Sequence, residues 1–180
     1  NIVSVLKTVE RQQVIENIVR DDEFSNLKSE EYLYGEGKKI IDQYTISTVC
    51  LFRITNLEEI NEKFSRQTGN EIITNVSQVV KQNLAKQYVF VRYMGPKFAI
   101  VFSGIDAESV IGFLKEIKEK VEAIEVEFVQ GEEPLEEYAK PKLNMVVSTY
   151  YKGTALEGLT KKLEEYLDNA PKSENTINYL

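Results

Sequence analysis

The feature that most constrains the fold is a pair of apolar runs, rich in β-branched and aromatic residues, that flank a short break. The runs occupy residues 89–93 and 98–102, and the break between them reads Met94-Gly95-Pro96-Lys97. β-Branched and aromatic side chains favour extended strands, whereas Gly and Pro favour turns. The pattern therefore predicts a hairpin of two buried strands, and so a fold organised around a β-sheet.

Strand-like and helix-like segments alternate along the rest of the chain. Strands are predicted over residues 45–53, 124–129, 143–151 and 176–180. Apolar residues at helical spacing predict helices over residues 30–43, 56–64, 69–84, 106–123 and 155–169. Gly69 and Asn70 are predicted to open the third helix and Asp106 to cap the fourth, while the polar, proline-containing residues 130–142 are predicted to form a loop. This order predicts an α/β (α+β) sandwich, a central mixed sheet with flanking helices.

Length and composition exclude several classes of protein. The 180 residues suffice for one well-buried domain but not for two typical ones. A net charge of −7 argues against a nucleic-acid groove and against contact with an anionic membrane surface. The chain has no histidine and a single cysteine, which excludes His-based triads and internal disulfides and predicts a reducing compartment.

Residues 1–20 are predicted to form a separate linker or signal helix ahead of a domain that spans residues 21–180. Apolar residues recur in this segment at spacings that suit an amphipathic helix, namely Ile2, Val5, Leu6, Val9, Val14, Ile15, Ile18 and Val19. One interpretation is a helix that dimerises, and the other is a helix that packs on its own domain. Because the chain begins with Asn and not Met, we expect it to be a piece of a longer protein.

Two motifs resemble those of the GGDEF (diguanylate cyclase) family. In the hairpin, four residues match a family pattern that reads approximately R-Y-G-G-[D/E]-E-F, namely Arg92, Tyr93, Gly95 and Phe98. In the motif near the start of the domain, approximately D-x-L-T-G-L-x-N-R-R-x-[FL], three residues match, namely Asp22, Leu27 and Leu33. The resemblance is collinear over residues 21–180 and implies a palm-like fold similar to that of nucleotidyl cyclases.

The resemblance implies a metal site whose carboxylates are missing here. In active family members, the first Asp of a D-I-D-x-F-K-x-I-N segment and the acidic residue of the signature turn hold two Mg²⁺ ions for phosphoryl transfer. The two Asp positions are Arg53 and Thr55, and the two acidic turn positions are Pro96 and Lys97. Neither a cation nor proline supplies a ligand for Mg²⁺. We therefore expect no metal, no cofactor and no cyclase activity.

A guanine-reading pair that the resemblance also implies is partly retained. The family's Asn position is Asn61, and its Asp position nine residues later is Asn70. An amide offers one acceptor oxygen where a carboxylate offers two, so one expectation is weakened guanine selectivity. The alternative is structural, with Asn61 capping or bridging backbone groups and Asn70 capping the next helix.

Two further anion sites of the family have lost their charges. The inhibitory product site, R-x-x-D, falls on Ala85 and Tyr88, so we expect no product binding there. The phosphate-binding pattern K-x-x-G-R-N places Ala170 and Glu174 at the basic positions, although Lys172 lies close enough to substitute. Both sites therefore resemble the metal site in lacking the charged residues of the family pattern.

Arg53 and Lys97 allow two interpretations. They could hold an anionic ligand directly, at the place where the family holds Mg²⁺. Alternatively, they pair with neighbouring carboxylates such as those of Glu58 or Glu59.

Taken together, these features predict a catalytically inactive GGDEF-like domain of a bacterial signalling protein, acting as a regulatory or protein-interaction module. The alternative is a metal-independent sensor of guanine nucleotides or another anion, with GTP and GDP as candidate ligands of Asn61, Asn70, Arg53 and Lys97. Slow nucleotide hydrolysis is a third hypothesis, but no base is evident. Expected partners are a protein, an upstream sensor domain or a second copy through residues 1–20. We expect a cytoplasmic location, within a larger membrane-anchored sensor as one variant.

Overall fold

The computed structural model describes residues 27–93, 95–130 and 133–180. The predicted helix in residues 1–20 lies outside them, as do Asp22 of the motif near the start of the domain and Met94 of the turn. Within the described part of the chain, no helix is both long enough and apolar enough to cross a bilayer.

A six-stranded mixed sheet forms the centre of the fold, with strand order β1-β3-β4-β2-β7-β8. Its strands are β1 (Lys28–Ser29), β2 (Ile46–Ile54), β3 (Val89–Arg92), β4 (Lys97–Ser103), β7 (Leu143–Tyr151) and β8 (Ile177–Tyr179). The outer pairs β1–β3 and β7–β8 are parallel, whereas the inner pairs are antiparallel. The predicted mixed sheet and the predicted hairpin, here β3–β4, are both confirmed.

Helices cover both faces of the sheet. They are α1 (Glu30–Tyr32, a π-helical segment Leu33–Gly37, and Lys38–Ile41), α2 (Leu57–Lys63), α3 (Arg66–Asn83), α4 (Ala107–Glu122) and α5 (Leu156–Asn169). One face packs Phe52, Phe98 and Ile100 against α2, α3 and α4. The other face packs its alternate residues, such as Leu51 and Ala99, against α1 and α5. Since successive strand residues point to opposite faces, the alternation fixes which side each functional residue faces.

Two sequence predictions about the elements are wrong. Helix α3 begins at Arg66, because the Ser65 hydroxyl accepts a 3.0 Å hydrogen bond from the Thr68 amide and caps it there. Gly69 and Asn70 therefore lie inside the helix, and Asn70 is not its cap. Residues predicted as a loop contain a strand, β6 (Glu133–Ala139), which pairs with β5 (Val126–Gln130) in a separate two-stranded sheet.

Candidate functional site

Three polar side chains lie in a row across the sheet, and two of them, Arg53 and Lys97, occupy positions that the resemblance assigns to acidic residues. Lys97 on β4 stands opposite Arg53 on β2, which in turn stands opposite Asn144 on β7. Each lies two residues from a side chain of the α5-facing core, so all three occupy the face that α5 covers. We call Lys97, Arg53 and Asn144 the polar row.

Lys97 is held by two carboxylates of α5. Its ammonium lies 2.9 Å from Oε2 of Glu164 and 2.7 Å from Oδ1 of Asp168, which are one helical turn apart. The lysine side chain is only 19% exposed. Burial by itself lowers the pKa of Lys97, but the hydrogen bonds to Asp168 and Glu164 outweigh it and raise that pKa above its usual value. Lys97 therefore stays charged and paired at neutral pH.

Arg53 and Asn144 bind the segment that follows α5. The Nη2 group of Arg53 donates a 3.0 Å hydrogen bond to the carbonyl of Ala170, and its Nε is buried without a partner. The fully buried Asn144 donates from Nδ2 to the carboxylate of Glu174 at 3.0 Å. The polar row thus ties the end of α5 and the turn after it to the sheet.

Arg53 and Lys97 do bind groups of the protein, but not the carboxylates named in the sequence analysis. Glu58 and Glu59, which come soon after Arg53 in the chain, were the expected partners, but the contacts are made by α5 and the backbone after it. Glu58 instead pairs with Lys172 at 2.9 Å, with both side chains 73% exposed. An exposed pair of this kind contributes little to stability.

The signature turn is fixed by backbone hydrogen bonds. Gly95 has a φ of 64°, a left-handed conformation that favours glycine, and its carbonyl accepts from Nε and Nη2 of Arg92 at 3.0 and 2.8 Å. The carbonyl of Pro96 accepts from the Ile54 amide at 2.9 Å. The retained Arg92 and Gly95 therefore have structural roles in shaping the turn.

Tyr93, also retained, joins the hairpin to helices on the same face. Its hydroxyl lies 2.8 Å from that of Tyr34 on α1, which also contacts the hydroxyl of Thr160 on α5. Tyr93 is 8% exposed, and burial raises the pKa of its phenol well above the usual value. The phenol is therefore neutral over the whole physiological pH range.

Beyond the strand end, Thr55 and Asn56 hold the segment before β7. The Thr55 amide donates to the carbonyl of Lys142 at 2.8 Å. The Asn56 side chain donates to the Lys140 carbonyl at 2.7 Å and accepts from the Lys142 amide at 3.0 Å. Thr55, at the second Asp position of the family, thus contacts protein backbone.

A cavity of about 570 Å³ opens beside these residues. Its lining includes the exposed carboxylates of Glu58, Glu59 and Glu62, together with Lys142 and Lys172. Glu58 occupies the Lys position of the family segment. A triphosphate placed here would meet three carboxylates but only two ammonium groups, and that of Lys172 already pairs with Glu58, so the lining has a net negative charge that repels it.

Asn61 and Asn70 lie on the helices that cover the opposite face of the sheet. Oδ1 of Asn61 is buried without a hydrogen-bond partner and lies 1.7 Å from the point that a Cβ on Gly69 would occupy. The structure therefore brings Asn61 against the residue that precedes Asn70, but Arg53 and Lys97 lie on the α5 side. Because Oδ1 of Asn61 accepts no hydrogen bond, the prediction that Asn61 bridges backbone groups is wrong for that atom.

Ala85 and Tyr88, at the expected inhibitory site, lie between α3 and β3. The Tyr88 ring packs edge-on against Phe102, with centroids 5.2 Å apart, and the Tyr88 amide donates to the Ala85 carbonyl at 3.1 Å. These two positions therefore present an aromatic ring and a methyl group in place of an ion pair.

An acidic cleft of about 460 Å³ lies between the start of α1 and α5. Burial, and then the charges of Glu164 and Glu157, raise the pKa of Glu30 above its usual value. A carboxyl whose pKa is raised by folding destabilises the fold above that pKa, and the penalty disappears as the pH falls below the unfolded value.

We therefore expect Glu30→Gln to stabilise the protein at pH 7–8 by a few tenths of a kcal/mol, a small effect because Glu30 is exposed. Thermal unfolding of the variant and the wild type at pH 8 and at pH 4 measures the difference. Glu157→Gln removes one of the charges that raise the pKa of Glu30, so it should reproduce part of the stabilisation. A stabilisation that grows on going to pH 4 would contradict the prediction.

The residues present do not fit the Mg²⁺ ions that the family implies. Arg53 and Lys97 bring two positive charges to the site, and Pro96 has no side-chain ligand. The nearest carboxylates to the turn, Glu164 and Asp168, already bind the Lys97 ammonium. Among the residues that the structure describes, no cluster of three acidic or thiol side chains is arranged to hold a metal ion.

Glu164, Asp168 and the Ala170 carbonyl are site residues that the sequence interpretation missed. Glu164 and Asp168 each follow a buried leucine, Leu163 and Leu167, so they border the buried face of α5. That spacing could have indicated half-buried acids. It could not have indicated Lys97 as their partner, because the pairing depends on how α5 lies across β4.

Comparisons with known proteins identify the family and the fold. The family model described as diguanylate cyclase, GGDEF domain, matches residues 22–176. An uncharacterised protein, YtrP of Bacillus subtilis, is 29% identical over 91 residues, or 51% of this chain and 16% of that protein. Diguanylate cyclase DosC of Escherichia coli is 30% identical over 87 residues, or 48% of this chain and 19% of that protein. The chain thus spans less than a fifth of these relatives' lengths.

Solved structures share the fold at low sequence identity. The coiled coil and GGDEF domain of DgcB from Caulobacter crescentus, in complex with c-di-GMP, aligns with a TM-score of 0.82 at 18% identity, covering 96% of this chain and 91% of that one. Diguanylate cyclase SiaD from Pseudomonas aeruginosa, in complex with its activator SiaC, aligns at 0.77 and 11% identity, covering 94% and 65%. The palm-like fold is therefore confirmed. With most of its length matched by the family model, the chain belongs to the GGDEF domain family, the domain type of cyclic di-GMP signalling.

Proposed function

We propose that this chain is a catalytically inactive GGDEF domain that acts as a regulatory or protein-interaction module. The observation that carries the proposal is the pairing of Lys97 with Glu164 and Asp168 at the signature turn. A lysine ammonium occupies the place of an acidic turn residue, and the two carboxylates nearest to it are its hydrogen-bond acceptors. The site is thereby used to hold α5 in place.

The chemistry of cyclisation explains why this arrangement opposes catalysis. Joining two GTP molecules requires attack of a 3′-hydroxyl on a phosphate, and Mg²⁺ ions both activate the hydroxyl and neutralise the phosphates. Arg53 and Lys97 could offset some phosphate charge, but neither lowers the pKa of a hydroxyl as a bound metal ion does. Glu58, Glu59 and Glu62 add repulsion in the adjacent cavity.

The contacts favour this proposal over the nucleotide sensor. A sensor built from Arg53 and Lys97 needs their charged groups to face a ligand, whereas both donate to protein acceptors on the α5 side. Asn61 lies on the other face of the sheet, against Gly69. Binding one nucleotide with all four candidates would require breaking the Lys97 ion pairs first.

Relatives suggest what such a module contacts. SiaD was solved in complex with its activator SiaC, and LapD of Vibrio cholerae was solved as an S helix, GGDEF and EAL unit bound to c-di-GMP. By analogy, we propose a protein partner or an upstream sensor domain for this chain, in the cytoplasm. The low identity to both, 11% and 14%, restricts the analogy to the type of partner.

A cyclase assay tests the proposal. We expect the purified chain to form no cyclic di-GMP from GTP with Mg²⁺ or Mn²⁺, under conditions in which an active diguanylate cyclase forms it readily. A variant that carries Asn61→Ala provides the matched control for contaminating activity, because it removes the retained guanine-reading side chain. Product that scales with the concentration of the wild-type chain and disappears in the Asn61→Ala variant would overturn the proposal.

Thermal unfolding with nucleotides separates the two candidate functions. A ligand at about 100 times its dissociation constant stabilises a protein by roughly 2.7 kcal/mol, which shifts the midpoint by several degrees. We expect no shift with GTP, GDP or cyclic di-GMP, with or without Mg²⁺. A Mg²⁺-independent shift with GTP or GDP that Arg53→Glu abolishes would instead support the sensor.

A further inference from the structure

The last strand of the sheet has an open outer edge. In the parallel pair β7–β8, Met145 stands opposite Ile177 and Val147 opposite Tyr179. The Met145 amide donates to the Thr176 carbonyl, and the Leu180 amide donates to the Val147 carbonyl, both at 2.8 Å. This pattern turns the backbone groups of the even-numbered residues toward β7 and those of Ile177 and Tyr179 outward. No other strand in the described ranges pairs with that edge.

Exposed apolar side chains concentrate at the same edge. Five large hydrophobic residues of the described chain are exposed, and three of them lie here, namely Tyr151 (58%), Tyr179 (62%) and Leu180 (47%). The Tyr179 hydroxyl lies 3.2 Å from the hydroxyl of Thr149, so its ring lies along β7 toward Tyr151. Edge strands are ordinarily protected by charged residues, proline, bulges or a very short length. Residues 176–180 contain no charged side chain and no proline, in a chain with 28% charged residues, so the three-residue length of β8 is the protection that this edge has.

We propose that the outer edge of β8 pairs with β8 of a second copy of this chain, in antiparallel orientation. A two-fold axis through Asn178 places Ile177 of the first copy opposite Tyr179 of the second, and Tyr179 of the first copy opposite Ile177 of the second. Each of these two pairs exchanges both N–H···O hydrogen bonds, because all four residues have outward-facing backbone groups. The two sheets then continue as one, and each Tyr179 ring lies beside an Ile177 side chain, a favourable cross-strand pair.

A second copy fits this edge better than an unrelated strand does, because the edge is self-complementary and has no charged side chain. Two copies of a chain with net charge −7 repel each other, and β8 lets them meet where neither has a charged side chain. The area indicates a weak interface. Aromatic side chains bury roughly 150–250 Å² each when fully covered, so the exposed parts of the two Tyr179 rings supply on the order of 250 Å². Stable interfaces bury about 1,200–2,000 Å², so we expect a dissociation constant of roughly 10–1,000 μM.

Sedimentation equilibrium of the whole 180-residue chain over about 5 μM to 1 mM tests the proposal. Tyr179→Pro removes the outward N–H of that residue while the inward bonds of residues 178 and 180 remain, and proline is tolerated at an outer edge. We expect it to weaken association by roughly tenfold or more, because two of the four hydrogen bonds are lost. The matched variant Tyr179→Phe keeps the edge and should associate within about threefold of the wild type.

Amide hydrogen exchange provides a second readout that does not depend on a variant. The amides of Ile177 and Tyr179 should exchange more slowly as protein concentration rises across the dissociation constant, whereas that of Leu180, which donates to Val147, should not change. A wild-type chain that is monomeric at 1 mM, or a dimer that Tyr179→Pro leaves with the same affinity as the wild type, would overturn the proposal. The second result would indicate association elsewhere, such as through residues 1–20.

Discussion

Replacing Phe98 with Ala is expected to lower the free energy of unfolding by about 3–5 kcal/mol, the usual cost of removing a buried phenylalanine. Phe98 is fully buried on the face that α2, α3 and α4 cover. Its ring stacks on Phe52 with centroids 5.0 Å apart and on Phe90 at 5.9 Å. The loss combines the transfer of the ring to water, a residual cavity and two aromatic contacts. Urea unfolding followed by circular dichroism measures it.

The matched variant is Phe98→Leu, which keeps most of the buried volume and should cost less than half as much. A loss below about 1 kcal/mol for Phe98→Ala would contradict the packing described here.

The prediction bears on how signature motifs are interpreted. Phe98 is retained in a chain whose acidic turn residues are replaced, and its burial gives a structural reason that is independent of catalysis. Retention of the aromatic residue is therefore not evidence of cyclase activity.

The sequence predicts those features of the fold that depend on local pattern. The β3–β4 hairpin follows from two apolar runs and a Gly-Pro break, and the cap of α4 follows from Asp106, which accepts from the Ser109 amide at 3.0 Å. Both signals lie within a few residues of the structure that they specify. The resemblance to the family is likewise recognised from local matches, namely Arg92, Tyr93 and Phe98 in the correct order.

The features that the sequence does not predict depend on contacts between distant residues. The strand β6 lies in a polar stretch and is stabilised by pairing with β5, for which the apolar pattern gives no signal. The partners of Lys97 lie 67 and 71 residues away and are brought to it by the packing of α5 on the sheet. Sequence proximity suggested Glu58 and Glu59, but these follow β2 and line a cavity together with Thr55.

Lys97→Glu is expected to destabilise the protein by about 2–3 kcal/mol, the second largest effect. The substitution removes the ammonium from Glu164 and Asp168 and places a third carboxylate among them, in a site where the native lysine is 19% exposed. The cost would be larger if the Lys97 side chain were fully buried, and below about 1 kcal/mol if it were fully exposed. Urea unfolding at pH 7 measures the change. Lys97→Met, which keeps the aliphatic stem and adds no charge, should cost about half as much.

A charge exchange distinguishes electrostatics from packing in this prediction. Lys97→Glu combined with Glu164→Lys restores an ion pair across the same two positions, so the double variant should recover at least 1 kcal/mol relative to Lys97→Glu alone. Equal stability of the two variants would show that the destabilisation comes from packing instead. The same geometry bears on the proposed loss of the metal site. A glutamate at position 97 would lie beside two carboxylates of α5, so we expect metal binding to require changes on α5 as well as in the turn.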